Sequence, residues 1–327
     1  MKKELTLEEP FLKTYLGDAY TFSMLGREPI DSGGILDEYI HLQFRADHGM
    51  LKYRNFDYYD FLPSKNAFIK KYYVIPKRIC SPEKIFNRIV KMIDSEEYFF
   101  GFWNENKYRL TIGEDVEDVL SFHGVFVCGY DDVEKDLFVL GFYGGEFVKR
   151  KVPIAIFYEA LCFETEYVDT LAFTGYRVSK YHKWEYNIDV ILRELVDYKI
   201  AGGYDEEKQS FYDIPAEEEF VKLLTSLVVD GSLLHIPSIY CMVEHKSLMV
   251  NRLGFLLKKG VRLPYECIAL YEELKERLVS VLVQSIKYNL TRKCEYGQKI
   301  IREMTKIIDK EVLATKLLET WIKNILK

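Results

Sequence analysis

His123 is the residue of this chain whose type and position best suit acid–base chemistry. It stands at the start of the apolar run Gly124–Cys128, which predicts a strand, and histidine is the side chain best able to exchange a proton near neutral pH. The alternative is structural, a half-buried histidine bonded to a neighbouring backbone group. Cys128 lies five residues along the same strand, where the alternation of side chains points it to the opposite face. We therefore expect Cys128 in the core and not in a dyad with His123.

Thiols and acidic residues elsewhere in the sequence lack the spacing of a metal site. Glu244 and His245 are adjacent on a candidate helix, so they point in different directions, unlike the two ligands of an HExxH motif. Glu244, Lys246 and Arg252 are expected to form salt bridges among the helices or against the first domain. The cysteines show no CxxC spacing, which predicts free thiols and no structural metal. They are Cys80, Cys128, Cys162, Cys241, Cys267 and Cys294.

A phosphate-binding loop is also not expected. The pair Gly144-Gly145 is followed neither by the lysine nor by the helix of such a loop, so it predicts a tight turn. The sequence thus predicts no bound cofactor.

Two stretches resemble a known family. Residues 121–132, with the sequence SFHGVFVCGYDD, precede the apolar run Leu137–Tyr143, and together they resemble the histidine hairpin of papain-like proteins. In particular they are similar to the family of the butirosin biosynthesis protein H N-terminal domain, which is akin to bacteriocin-processing cysteine peptidases and to the amide-forming enzyme of closthioamide biosynthesis. Val243–Leu253 resembles a Glu-His-Lys helix often found after this domain in proteins encoded beside peptide and polyketide assembly lines. The resemblance implies an α+β fold class, a papain-like domain followed by an α-helical bundle.

The resemblance also implies a site. In this family a thiolate at the N-terminus of the first helix attacks a thioester or peptide carbonyl, and a histidine takes and returns the proton. Here Gly17 or Asp18 occupies the place of the thiol, and no cysteine precedes Cys80. His123 is thus implied as the base, within hydrogen-bond or one-water distance of this helix N-terminus, and Asp18 as a carboxylate that pairs with it. Asp18 can instead serve as an N-cap or first-turn residue, and no Asp stands near Gly141 to orient the histidine.

The elements that must position these residues follow from apolar spacing. A short first helix is predicted over Leu12–Leu25, ended by Gly26 and Pro29, and a second begins at the Ser81 N-cap and ends near Asp94. The remaining elements of this part are strands followed by one or two helical turns. The strands are predicted over 98–103, 118–129, 137–142 and 146–152, and the helical turns over 154–161.

Helical periodicity takes over beyond about residue 185 and predicts a bundle of four or five helices. The chain of 327 residues is long for one domain, so we expect two: a papain-like α/β domain over 1–180 and an α-helical domain over 181–327. The candidate helices lie around 188–196 and 220–227, and over 239–258, 264–292 and 295–327.

The bulk composition narrows the function classes. The net charge of −6 argues against broad nucleic-acid binding, and 48% hydrophobic residues suffice for a large core. No signal peptide and no apolar run of about 20 residues is present, which predicts a cytoplasmic protein without membrane contact. The aromatic cluster at 56–61 is expected to form a half-exposed sheet or to line a channel for an acyl or pantetheine arm.

Our leading functional hypothesis is an acyltransferase or amide-forming protein of peptide or polyketide natural-product biosynthesis, in an active or a degenerate form. Its substrate would be an acyl chain bound through pantetheine to an acyl or peptidyl carrier protein. The alternative is a non-catalytic binding or scaffold protein that docks to an assembly-line partner, which the lack of an early cysteine favours. A peptide hydrolase is a more distant alternative. The sequence leaves open whether the chain is an enzyme and what its oligomeric state is.

Overall fold

The structure is a computed structural model that describes residues 1–54, 67–117, 119–143, 146–161, 170–200 and 203–325. The aromatic cluster at 56–61, the Gly144-Gly145 turn and Cys162 lie outside the described residues. Contacts divide the chain into two units. Unit 1 comprises Met1–Gly26 and Ser64–Lys183, and unit 2 comprises Arg27–Pro63 and Trp184–Lys327.

The secondary structure is mixed, with strands concentrated in the first half of the chain and long helices in the second. The strands are β1 (Lys2–Glu4), β2 (Leu42–Arg45), β3 (Met50–Tyr53), β4 (Phe68–Pro76), β5 (Tyr98–Asn104), β6 (Phe122–Asp131), β7 (Asp136–Tyr143), β8 (Glu146–Pro153), β9 (Thr170–Val178), β10 (Tyr204–Asp205) and β11 (Ser210–Tyr212). The helices are α1 (Leu16–Leu25), α2 (Glu28–Asp31), α3 (Pro82–Asp94), α4 (Glu105–Thr111), α5 (Ile154–Leu161), α6 (Ile188–Ile200), α7 (Asp213–Val229), α8 (Ile236–Lys258), α9 (Tyr265–Thr291) and α10 (Cys294–Ile325).

Unit 1 is built on an antiparallel sheet with the strand order β4-β9-β5-β6-β7-β8, and β1 pairs with β6 beside this path. Alternate residues of β5 and β6, such as Phe99 and Val127, face helices α3 and α5 and form the core with them. The opposite alternation brings Phe126 against Tyr20 of α1, whose rings stack with centroids 4.8 Å apart. This sheet therefore packs helices on both faces.

The local signals read from the sequence explain α3 and the β6–β7 hairpin. Ser81 caps α3 by accepting a hydrogen bond from the backbone N–H of Lys84, as predicted. The hairpin closes through a turn over 132–135, in which Lys135 adopts a φ of 58°. Gly129 adjoins an irregularity in the β6–β7 register, and a Cβ there would lie 2.7 Å from the backbone oxygen of Lys3. The glycine thus lets β1 approach β6.

Unit 2 combines five helices that follow residue 187 in the described part of the chain with a small antiparallel sheet of order β10-β11-β2-β3. The predicted first domain kept 27–63, but these residues belong to unit 2. The reason is long-range pairing: β2 forms a ladder with β11, and the Arg252 guanidinium of α8 donates to the carbonyl oxygens of Leu36 and Glu38 at 2.6 and 2.9 Å. Local sequence patterns do not indicate which segments far apart in the chain will pair.

The predicted mixed α/β character and the C-terminal helical region are confirmed. The last three predicted helices begin or end within three residues of the observed ones, and α1 begins four residues later than predicted. Strands β1, β4 and β9, helices α2 and α4 and the β10–β11 hairpin were not predicted. The alternation of apolar and polar residues that would predict β4 is interrupted, because Tyr72 and Val74 are apolar but exposed. Strand β4 lies at the edge of the sheet path. None of the described helices is both long enough and apolar enough to cross a membrane.

Candidate active site and a buried charge cluster

His123 lies beside a carboxylate that the sequence analysis did not single out. Its Nδ1 is 3.3 Å from Oε2 of Glu105, and both side chains are partly exposed, 43% for His123 and 30% for Glu105. A carboxylate at this distance favours the proton on Nδ1, which leaves Nε2 as the basic nitrogen. The contact thus brings a carboxylate to one ring nitrogen of the predicted base.

The β5–β6 ladder brings Glu105 to His123. Trp103 pairs with His123 in the register, so the residue that follows β5 begins a helix next to the start of β6. Asn104 caps that helix, α4: its Oδ1 accepts from the backbone N–H of Lys107 at 3.3 Å and of Ser121 at 3.1 Å. The same side chain thus fixes both the start of α4 and the approach of β6.

A small cavity opens beside the pair. Its volume is about 20 Å³, room for about one water molecule. Leu16, the first residue of α1, lines it together with Tyr20 and His123. The Tyr20 hydroxyl lies 3.2 Å from the Leu140 carbonyl oxygen and 3.3 Å from that of Gly124, which ties α1 to the hairpin. Burial raises the pKa of Tyr20 well above its usual value, so it remains a neutral donor.

Two aromatic residues that line this cavity, Trp103 and Tyr143, contact further aromatic and basic side chains. Trp103 and Tyr108 stack with centroids 4.5 Å apart, and the Arg150 guanidinium lies 4.2 Å from the centre of the Tyr143 ring. Burial raises the pKa of Tyr143, and the neighbouring Tyr108 adds to that rise. Both phenols are therefore neutral near pH 7, and Arg150 lies against the ring of Tyr143, which lines the cavity.

The structure places the two predicted site residues differently. His123 lines the cavity, whereas Asp18 is 1% exposed in the first turn of α1 and is not among the lining residues. The N-cap of α1 is Tyr15, so Asp18 is a first-turn residue and not the cap. Its pairing with His123 stays a prediction, and the carboxylate that the structure brings to His123 is that of Glu105.

No thiol lines the cavity in the described part of the chain. Cys128 is fully buried, as predicted, and burial raises its pKa to about 12, so it is not a thiolate near neutral pH. Five cysteines are described, and all are free thiols.

Unit 2 contains a second concentration of ionisable groups, all fully buried. The Lys246 ammonium of α8 donates to Oε1 of Glu217 at 2.6 Å and to Oε1 of Glu311, and its Nζ lies 3.0 Å from Nδ1 of His245. The Tyr198 hydroxyl lies 3.0 Å from the same two carboxylate oxygens. One lysine thus joins side chains of α7, α8 and α10, and Tyr198 adds α6.

Burial and close contact shift the pKa values of Glu217 and Lys246 in this cluster. Burial, followed by the nearby Glu311 carboxylate, raises the pKa of Glu217 well above its usual value. Burial alone would lower the pKa of Lys246, but the two glutamates outweigh it and raise that pKa. Lys246 is therefore an ammonium, and the raised pKa of Glu217 favours a proton on that carboxyl.

The same cluster contains three residues that could together hold a metal ion. Ligand atoms of Glu217, His245 and Glu311 lie within 4.8 Å of one another. His245 approaches the Ile40 carbonyl oxygen through Nε2 at 2.8 Å, which leaves Nδ1 as an acceptor. The atom that this Nδ1 and both carboxylates contact is Nζ of Lys246, so a protein side chain supplies the cation of the cluster.

A histidine between two carboxylates adjoins this cluster. His41 Nδ1 lies 3.0 Å from both oxygens of Asp213, and His41 Nε2 lies 2.9 Å from Oε2 of Glu194. Asp213 is fully buried at the start of α7 with a φ of 59°, and its carboxylate also accepts from the backbone N–H of Leu42. These bonds hold an aspartate in the sparsely populated left-handed region.

Unit 2 is expected to lose stability as the pH rises above neutrality because of His41. Burial lowers the pKa of His41, but Asp213 first and then Glu194 outweigh it, so the pKa in the folded protein is above the ordinary value of 6.5. A raised histidine pKa stabilises the fold fully below the unfolded pKa and ceases to do so as the pH rises through the folded pKa. The difference in unfolding free energy between the wild type and His41→Gln should therefore be larger at about pH 6 than at about pH 9 by chemical denaturation.

The control for this prediction is His48→Gln, because His48 is 54% exposed and contacts one carboxylate, that of Asp47. A difference between wild type and His41→Gln that is equal at both pH values would contradict the prediction.

Sequence reasoning found His123 and Lys246 but missed their acidic partners. Asn104-Glu105 after a strand carried a usable signal, since asparagine commonly precedes a helix and a glutamate then stands in its first turn. Glu217 and Glu311 carried no such signal, because a glutamate on an amphipathic helix is expected to lie on its exposed face. A scan of the chain against models of protein families finds no match, and a search among curated proteins finds none either.

Proposed function

We propose that unit 1 is a papain-like domain that transfers a carrier-bound acyl group without an acyl-enzyme. His123 acts as the general base on the acceptor, and Glu105 orients its ring. The observation that carries this proposal is the 3.3 Å approach of the Glu105 carboxylate to His123 beside a cavity that the first residue of α1 also lines. The hairpin resemblance supplies the class of substrate, an acyl thioester of pantetheine.

The proposed step needs no protein thiol. Nε2 of His123 takes a proton from an acceptor amine as its nitrogen attacks the thioester carbonyl, and the same proton passes to the pantetheine sulfur as the C–S bond breaks. The N-terminus of α1 is the positive end of the helix dipole, which suits the negative charge that develops on the carbonyl oxygen. Without the attacking cysteine, two parts of the family's chemistry thus remain: the histidine base and the N-terminus of the first helix.

The proposal predicts a large effect at His123 and a smaller one at Glu105. With an acyl pantetheine thioester and an amine acceptor, His123→Ala should lower kcat by roughly 100-fold to 10,000-fold, the usual contribution of a general base. Glu105→Gln should lower kcat on the order of 10-fold and shift the pH–rate profile, because the ring loses its carboxylate partner. Both rate changes are measured by chromatographic detection of the amide product.

Two controls accompany this experiment. His48→Ala removes a partly exposed histidine of unit 2 and should leave the rate unchanged. Treatment with iodoacetamide should label the exposed Cys294 and also leave the rate unchanged. Loss of the wild-type rate on alkylation, or full activity of His123→Ala, would contradict the proposed mechanism.

The cavity volume of about 20 Å³ favours a second candidate function, a binding protein without catalysis. Such a volume is far below that of a pocket for an acyl thioester. This candidate predicts that an acylated carrier protein binds to the chain with unchanged affinity in His123→Ala and that no product forms with any acceptor. Calorimetry with acylated and unacylated carrier protein separates the two candidates.

A further inference from the structure

An exposed apolar stripe runs along α9. Its side chains recur at intervals of four, three and four residues, the spacing of a coiled-coil seam. All four are exposed: Val279 by 42%, Val283 by 44%, Ile286 by 43% and Leu290 by 79%. A soluble helix normally exposes polar residues at such positions.

The stripe is separate from the face by which α9 packs in unit 2. The buried residues of α9 include Leu274, Leu278, Val281, Ser285 and Tyr288. At 100° per residue these lie on the far side of the helix from the stripe. The helix therefore has two apolar faces, and the described residues cover only one of them.

At the N-terminal end of the stripe two glutamates outnumber one exposed lysine, Lys275, whereas the charges that flank the C-terminal end are basic. Glu272 and Glu276 continue its line toward the N-terminus of α9, whereas Lys287 flanks it and Lys293 follows its C-terminal end. All four are exposed, and none has an ion-pair partner among the described residues. The acidic end also lies at the positive end of the helix dipole.

This pattern is complementary to itself when reversed. In an antiparallel pair of two α9 helices with the axis midway between Val283 and Ile286, Val279 faces Leu290 and Val283 faces Ile286. The same axis brings Glu276 of each copy to the level of Lys293 of the other. A parallel pair would instead bring glutamate against glutamate, so the charges select the antiparallel arrangement.

We propose that this chain forms a two-fold symmetric dimer in which α9 pairs antiparallel with α9 of a second copy. The inference is independent of the proposed acyl transfer, because it rests on residues of unit 2 alone. A two-fold contact repeats every interaction, so each substitution in the stripe acts twice. The seam is short, about three helical turns from Val279 to Leu290, and a weak dimer in the micromolar range is expected.

Sedimentation velocity of the full chain from about 1 to 300 µM tests the dimer. The wild type should change from monomer to dimer over this range. Val283→Lys should raise the dissociation constant by about 100-fold or more, because two ammonium groups enter the apolar centre. Val133→Lys is the matched control: Val133 is 75% exposed in the turn between β6 and β7 of unit 1, and its substitution should leave the dissociation constant unchanged.

Charge reversal tests the direction of the helices. Glu276→Lys alone and Lys293→Glu alone should each weaken the dimer, about 3-fold to 10-fold, and the double reversal should restore the wild-type dissociation constant. A wild type that stays monomeric at about 300 µM would overturn the proposal and leave the stripe to a different partner. A dimer that tolerates Val283→Lys, or a double reversal no tighter than the single variants, would overturn this pairing.

Discussion

Lys246→Met is expected to lower the unfolding free energy of unit 2 by about 3–5 kcal/mol, the effect of removing one partner from a buried ion pair. The ammonium contacts Glu217, Glu311 and His245, and all four side chains are fully buried. Without it, either the two carboxyls carry uncompensated charge or both must be protonated. Chemical denaturation followed by circular dichroism measures the loss, with hydrogen exchange in α8 to assign it to unit 2.

The pH dependence of this loss distinguishes a charge effect from a packing effect. Burial raises the pKa of Glu217 above its ordinary 4.5, and the loss of the ammonium raises it further. A raised carboxyl pKa costs nothing below the unfolded pKa and destabilises the fold as the pH rises above it. The deficit of Lys246→Met should therefore be smaller at about pH 5 than at about pH 8.

Two further variants control this experiment. Lys222→Met removes an exposed lysine of α7 that pairs with Glu219, and such surface pairs contribute about 0–1 kcal/mol. The triple variant Glu217→Leu, Lys246→Met, Glu311→Leu removes the whole ionic cluster, and it should recover most of the stability that Lys246→Met alone loses. A deficit below about 1 kcal/mol for Lys246→Met would show that the cluster is not held by this charge.

Phe99→Ala is expected to destabilise unit 1 by about 3–5 kcal/mol, because it leaves a cavity at the centre of the sheet. Phe99 is fully buried on β5. Its ring centroid lies 4.9 Å from that of Phe173 on β9 and 5.8 Å from that of Phe157 on α5. The substitution thus removes contacts within the sheet and between the sheet and a covering helix. Loss of the near-ultraviolet aromatic signal during denaturation reports the transition.

The matched control is Tyr72→Ala on β4 of the same sheet, where the side chain is 77% exposed. It should change the stability by no more than about 0.5 kcal/mol. Equal effects of the two substitutions would contradict the placement of the unit 1 core between β5 and α5.

Several elements could be predicted from the sequence alone, because they depend on interactions between residues close together in the chain. The start of α3 at Ser81-Pro82 was predicted correctly. It depends on a capping hydrogen bond between residues only three positions apart in the sequence. The long helices α8, α9 and α10 show 3.6-residue periodicity over many turns, so their existence and approximate ends were also predicted. The burial of Cys128 followed from the alternation of one strand.

Other features depend on which residues meet across long sequence distances. The 27–63 segment joins unit 2 because β2 pairs with β11, about 165 residues later, and no local preference encodes that choice. Glu105 reaches His123 only through the register of β5 and β6. Lys246 stands out in the sequence as a charge on an apolar helix, but its partners come from α7 and α10.

The sequence by itself thus determined the helix periodicity, the caps and the alternation of buried residues, because these depend on neighbours within about one or two turns. It also determined that no cysteine precedes Cys80, which excludes an early nucleophilic thiol from the described α1. Only the tertiary structure decided which carboxylate faces His123, which unit holds 27–63, and that ionisable side chains of α7, α8 and α10 contact one another. The physical reason is that these contacts depend on burial and on pairing between distant segments. The local pattern of residues along the sequence specifies neither of them.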